Sequence, residues 1–141
     1  MALDWIRETP PCWDAEKQHI VGDASPGIFD RRYANLAIGA PLLGEWWRVE
    51  SDGRTLGYGW LDAAWGDAEI LLATAPAARR HGVGTFILEQ LEAEARARGL
   101  NYLYNVIRPS HPGAADLRGW LERHGFEAAP DSSLVRAVPR A

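Results

Sequence analysis

The chain has 141 residues, 47% hydrophobic and 24% charged, with a net charge of −4 at neutral pH. That length fits one domain, spanning residues 1–141, with a substantial core, and Lys and Arg scattered among a surplus of acids give no basic field for nucleic acid. No stretch approaches the roughly 20 apolar residues of a membrane span, the N-terminus lacks a signal-peptide core, and the single cysteine, Cys12, allows neither an internal disulfide nor a metal cluster, so the expected setting is cytoplasmic.

Thr9-Pro10-Pro11 followed by Asp14 and Glu16 reads as a helix start, and predicts a helix over about Pro11 to Val21. Gly22 to Gly27 interrupts it, and Ile28 to Leu36 is expected to hold a second short helix. His19 lies on the first helix, with Asp23 and Asp30 close in sequence. Four scattered histidines without paired spacing give no metal site.

Glu45 to Glu50 and Thr55 to Asp62 are strand candidates around the turn Ser51-Asp52-Gly53. Trp65-Gly66-Asp67 offers the next reversal, into a strand over Ala68 to Thr74, so three antiparallel strands follow in series. Trp46, Trp47, Trp60 and Trp65 would either line an aromatic wall or, as most aromatics do, pack under helices.

Between that last strand and an amphipathic helix stands Arg79-Arg80-His81-Gly82-Val83-Gly84-Thr85. Gly82 and Gly84 let the backbone turn tightly and approach a ligand, and the helix that follows presents unpaired amides and the positive end of its dipole. With the arginines beside them, these groups favour a phosphate-bearing ligand. The stretch lacks both the Gly-Lys-Ser/Thr ending of an ATP-binding P-loop and the third glycine of the dinucleotide fingerprint.

In Gly84 to Arg98 the apolar Ile87, Leu88, Leu91 and Ala95 recur at helical spacing, Glu92 with Arg96 and Glu94 with Arg98 pair outside, and Gly99 supplies the stop. Asn101 to Ile107 is then a strand parallel to the earlier one through a right-handed crossover. Asp116 to His124 makes a further helix, and Ser133 to Val138 is expected to close the sheet.

Read as Arg79, Gly82 and Gly84, the loop resembles the Arg/Gln-x-x-Gly-x-Gly/Ala motif of the GCN5-related N-acetyltransferase (GNAT) superfamily. Glu69-Ile70-Leu71-Leu72-Ala73-Thr74-Ala75-Pro76 is similar to that family's fourth strand, and Leu121-Glu122-Arg123-His124-Gly125-Phe126 to its Gly-Phe signature. The resemblance covers roughly Trp46 to Val138 and leaves residues 1–45 as an acceptor-side segment. It implies an α/β fold whose central, mostly antiparallel mixed sheet is splayed between strands four and five and flanked by about four helices.

The resemblance further implies acetyl-CoA as co-substrate, with no metal, and a small amine as acceptor. Pantetheine would lie along Leu72, Ala73 and Thr74, and pyrophosphate on the amides of His81, Gly82, Val83, Gly84 and Thr85, with Arg79 or Arg80 beside it. Glu69 occupies the position of the family's general base, although a strand-end glutamate can equally be solvated or paired. The tyrosine that commonly protonates the leaving thiolate is replaced by Leu121, and the asparagine upstream of it by Ala114. Tyr104, with Tyr102 on the same strand face, and His111 just past that strand are the replacement donors, each with a core or surface role as the plain alternative. His124 reads as structural, a cation at a helix end. A carrier-protein-bound acyl substrate, or a CoA-binding sensor without turnover, are the other readings, and a homodimer is open.

Overall fold

The structure, a computed structural model, describes residues 2–24 and 27–140. Strand β1 (Asp4–Arg7) is followed by a short helix α1 (Ala15–Lys17) that widens into a π-helical turn, Gln18–Gly22, and then by a 3-10 turn at Arg31–Ala34. The rest runs β2 (Glu45–Ser51), β3 (Arg54–Ala64), β4 (Asp67–Thr74), α2 (Val83–Ala97), β5 (Tyr102–Asn105), α3 (Ala114–Arg123), β6 (Glu127–Ala128) and β7 (Leu134–Ala137). The strands form one sheet in the order β1-β2-β3-β4-β5-β7-β6, antiparallel throughout except for the β4–β5 pair. This is the mixed α/β sheet that the resemblance implies, with three helices among the described residues.

Two tight hairpins set the register of β2, β3 and β4. Asp52 and Gly53 have φ of 51° and 74°, and Trp65 and Gly66 have φ of 56° and 84°, the left-handed pair that matches the twist of two-residue hairpins. Trp65 is consequently held out on a hairpin tip, fully exposed, while Trp46, Trp47 and Trp60 are buried. The aromatic wall therefore loses one member, and the other three belong to the core. Trp5 stacks on Trp47 at 5.4 Å and meets Phe86 of α2 edge-on at 6.2 Å.

Helix α2 turns Val83, Ile87, Leu88, Leu91 and Ala95 onto the sheet, all buried. Its close approach depends on β3 lacking side chains: a Cβ at Gly57 would lie 3.2 Å from Ile87 Cδ1 and 3.3 Å from Val83 Cγ1, and one at Gly59 would lie 3.0 Å from Ile87 Cγ2.

The N-terminal region differs from the sequence expectation. Helix α1 begins at Ala15 because Asp14 is its cap, accepting a 2.8 Å bond from the Lys17 N–H. The tandem prolines hold the preceding backbone extended, and Cys12 bridges to Pro41 instead of entering a helix. Only one turn of the expected Ile28 to Leu36 helix forms, the 3-10 turn capped by Asp30. Strand β1, unforeseen, pairs with the sheet edge at β2. Strand β7 does not end the sheet but lies between β5 and the short β6.

This region is anchored by a buried charge. The fully buried Lys17 ammonium lies 2.6 Å from Glu8 Oε1, as an ion pair without directed hydrogen-bond geometry, and 2.9 Å from Asp14 Oδ2. It also sits 4.9 Å above the Tyr58 ring. Burial, followed by the charges of Asp14 and Glu8, pushes the Tyr58 hydroxyl far above its usual range.

Candidate active site

The parallel ladder between β4 and β5 is short: Asp67, Ala68 and Glu69 pair with Tyr102, Leu103 and Tyr104, and there it stops, although β4 runs on to Thr74. At the next step the buried Asn105 turns its side chain across the gap, and its Nδ2 donates to the Ile70 carbonyl at 2.8 Å. The Ile70 carbonyl therefore faces β5. Because N–H and C=O directions alternate along a strand paired antiparallel with β3, the backbone groups of Leu72 and Thr74 face the same open side. Ala75, out of phase with them, donates back to Leu56 of β3 at 2.8 Å, as that alternation requires. The outer half of β4 thus presents free backbone donors and acceptors in a gap.

That gap opens into a groove of about 750 Å³. Leu72, Ala73 and Thr74 form one wall, Arg79, Arg80, Gly82, Val83, Gly84 and Thr85 form its end, and His111 and Trp120 close the side toward α3. Gly82 caps α2 with φ of 79°, a left-handed conformation that suits glycine. No side chain caps the helix, and its first intrahelical bond comes from the Phe86 N–H to the Gly82 carbonyl. The N–H groups of Val83, Gly84 and Thr85 are left without helix partners, beside the positive end of the dipole. Arg80 also takes a left-handed φ of 66°, which favours glycine over a branched-out side chain. His81 is exposed in the same loop and does not line the groove.

Glu69 and Tyr104 are brought together elsewhere, at the last closed rung of the β4–β5 ladder. Directly across β3, Asp62 is paired with Glu69, so the carboxylates and the phenol stand in one row over the sheet. Burial holds the Glu69 carboxyl above its ordinary range, and the neighbouring Asp62 charge pushes it the same way, against Arg108 and Arg32. Burial and then the Glu69 charge raise Tyr104, which keeps its proton. Tyr102 begins the same face but is exposed.

His111 lines the groove, and the Gly113 N–H donates to its Nδ1 at 2.8 Å. Nδ1 must therefore carry a lone pair, and the ring proton sits on Nε2. Leu121, at the position of the family tyrosine, is buried in the core and offers no donor. The adjacent Trp120 lines the groove instead.

Two functional-looking residues escaped sequence reasoning. Asn105 had a weak signal, an amide in the middle of a strand where asparagine is depleted. Trp120 had none, because which side of α3 faces the groove depends on the helix's rotation. His124, read as structural, has its Nε2 3.3 Å from the Thr85 hydroxyl at the start of α2. Asp30, in the N-terminal segment, bonds Arg108 beyond β5 at 3.0 Å, and a second groove of about 840 Å³ runs beside this pair. Both grooves include Ala24 and Phe29 in their walls.

Comparison with known proteins agrees with this geometry. A family model described as Acetyltransferase (GNAT) family matches residues 3–126, so the match begins well before Trp46 and takes in the N-terminal segment. A protein from Desulfovibrio desulfuricans assigned to that family is similar over 96% of both chains, at 16% identity and a TM-score of 0.66. The ribosomal-protein-S18-alanine N-acetyltransferase of Escherichia coli is 22% identical over 68% of this chain and 70% of its own, with a TM-score of 0.56. The N-acetylglutamate synthase of Neisseria gonorrhoeae, solved with coenzyme A and L-arginine, is 24% identical over 67% of this chain and 25% of its own, with a TM-score of 0.59. Among curated protein sequences none matches. With a family model covering most of its length, and a sheet that opens between β4 and β5 beside a glycine loop, the chain belongs to the GNAT acetyltransferase family.

Proposed function

We propose that this chain is a single GNAT domain that moves the acetyl group of acetyl-CoA to the amine of a small acceptor, by direct attack in a ternary complex. One observation carries the reading: the unpaired edge of β4 at Leu72 and Thr74 runs into a groove that ends on the free amides of α2. An extended pantetheine arm needs backbone partners along its length, and a pyrophosphate needs clustered N–H donors with positive charge nearby. Leu72, Ala73 and Thr74 supply the first. Val83, Gly84 and Thr85 supply the second, with His81 and Gly82 completing the turn and Arg79 and Arg80 beside it.

Residues 1–45 provide the acceptor side in this reading, with the second groove beside Asp30 and Arg108 as the acceptor's approach. The carboxylates of Asp62 and Glu69, in register over the sheet, favour a cationic amine. An alkylamine arrives protonated and must lose that proton before it attacks. Glu69, directly or through a water, takes the proton, and its raised pKa makes it a better base. The amine nitrogen then bonds to the carbonyl carbon of the thioester, and as the tetrahedral intermediate collapses the C–S bond breaks and the proton that the nitrogen still has to shed passes to the departing sulfur. His111 Nε2–H, along the groove, donates a hydrogen bond to that sulfur and keeps its own proton, and Tyr104 holds a second donor beside Glu69.

The test is thiol release from acetyl-CoA with a panel of amino acids, polyamines and aminoglycosides. Amine-dependent release that Glu69→Gln abolishes, while the variant still binds acetyl-CoA, supports the assignment. Tight acetyl-CoA binding with no release for any amine or acyl carrier protein would point to the sensor reading.

A further inference from the structure

We propose that acetyl-CoA binding draws a proton onto His124, which acts through the Thr85 hydroxyl as a positioning residue of the phosphate loop. The inference rests on the acetyl-CoA reading above. His124 follows α3, with Nδ1 2.8 Å from the Trp120 carbonyl oxygen and Nε2 3.3 Å from Thr85 Oγ1. Its ring lies 4.2 Å from that of Trp120, tilted by 33°, which fixes its plane.

A carbonyl oxygen only accepts, so Nδ1 carries a hydrogen in every state of the ring. In the neutral ring Nε2 is a lone pair, and the Thr85 O–H must point at it. The hydroxyl then shows the groove only lone pairs, which repel an anionic oxygen. A proton taken from solvent onto Nε2 reverses that bond. Nε2–H donates to Oγ1, and the Thr85 O–H is released to donate into the groove that Thr85 lines, beside the free amides of Val83 and Gly84. Only the imidazolium state offers this donor, so a phosphate oxygen binds that state more tightly, and by linkage the bound protein holds more protons than the free one.

The charges around the pair come from each element packed there. Arg79 and Arg80 of the loop, His111 before α3 and Asp116 of α3 line the groove with Thr85, while His81 and Arg123 are exposed on the same elements. Helix α2 brings Glu89, one turn past Thr85, and Glu92, which is held at 2.8 Å by Arg136 of β7. A Cβ at Gly125, the residue after His124, would lie 3.6 Å from Arg136 Nε. A bound phosphate adds negative charge beside the pair, which strengthens the coupling.

The probe is acetyl-dephospho-CoA, which keeps the pyrophosphate and lacks the phosphate that titrates near neutrality. Titration calorimetry in two buffers of different ionisation enthalpy, from about pH 6 to about pH 8.5, counts protons taken up on binding. Wild type should take up a fraction of a proton and bind more weakly as pH rises. His124→Gln keeps an N–H for Thr85 and should bind with the His124 share of the uptake lost, and with an affinity that changes less with pH than the wild type's. Thr85→Val should also lose that share and bind about ten-fold more weakly at the acid end, the loss of one hydrogen bond to a charged group. If His124→Gln does not fold, Thr85→Val decides alone. Uptake unchanged in the folded variants, or absent in wild type that binds, overturns the inference alone. No binding by wild type removes the acetyl-CoA reading and this inference with it.

Discussion

Gly84→Glu is the sharpest perturbation of the glycine loop proposed to hold the pyrophosphate. Gly84 lies in the first turn of α2 with an ordinary helical φ, and a Cβ there would meet Trp120 Cζ2 at 3.4 Å, a normal contact. The fold should tolerate the change, and an acid in a first helical turn adds a few tenths of a kcal/mol of dipole stabilisation. The carboxylate, however, projects into the groove where the pyrophosphate is proposed to sit. One like charge at about 5 Å costs about 3 kcal/mol at an effective dielectric of about 20. With about 1.4 kcal/mol to each factor of ten, acetyl-CoA affinity should fall by about two orders of magnitude. Gly84→Ala, which adds the Cβ without the charge, should bind within several-fold of the parent. Calorimetric titration with acetyl-CoA measures all three proteins, and melting curves without ligand check that the fold survives. If Gly84→Glu binds within about threefold of Gly84→Ala, the phosphates lie elsewhere and the reasoning fails.

Three further outcomes follow from the same geometry. The Asp62 charge helps hold Glu69 above the ordinary carboxylate range. A base must be ionised, so kcat/KM falls on acidification through the Glu69 pKa; Asp62→Asn lowers that pKa and should move the acid limb to lower pH, and an unmoved or raised limb in the pH–rate profile counts against Glu69 as base. Lys17→Met leaves the nearly buried Glu8 carboxylate with only the longer 3.6 Å contact to Arg48 and should cost about 3 kcal/mol in denaturant unfolding, part of it recovered by adding Glu8→Gln. Trp65 is fully exposed at a left-handed φ, so Trp65→Gly should raise the melting temperature through about 1 kcal/mol of relieved strain.

The parts of the molecule legible in the sequence were those specified by local rules. The two glycines of the loop, the apolar stripe of α2 and the turn residues at Asp52-Gly53 and Trp65-Gly66 each constrain their own few residues of backbone. The parallel pairing of β5 on β4 followed from the helix that connects them. What stayed hidden was set by partners far along the chain. Strand β1 carries no period-two signal, since its burial comes from stacking Trp5 on Trp47 and Phe86. The start of α1 was misplaced because Thr9 and Asp14 are both capping residues, and the pairing of Cys12 with Pro41 decides between them. In the site, Glu69 and Tyr104 were legible as candidates, but not that the ladder closes over them and opens just beyond. The bridge from Asn105 to Ile70 and the contact of His124 with Thr85 span 35 and 39 residues, distances that no local pattern carries.

The claim on which the rest depends is that the open edge of β4 takes the pantetheine arm. Amide hydrogen exchange, followed residue by residue by NMR, tests it directly. Without ligand, Leu72 and Thr74 should exchange quickly, because their N–H groups face the gap, while Leu71 and Ala73 are protected by β3. Saturating acetyl-CoA should slow exchange at Leu72 and Thr74, and at Val83 to Thr85, and leave Leu71 and Ala73 unchanged. If acetyl-CoA binds and the exchange of Leu72 and Thr74 does not change, the strand edge is not where the cofactor lies and the account is contradicted.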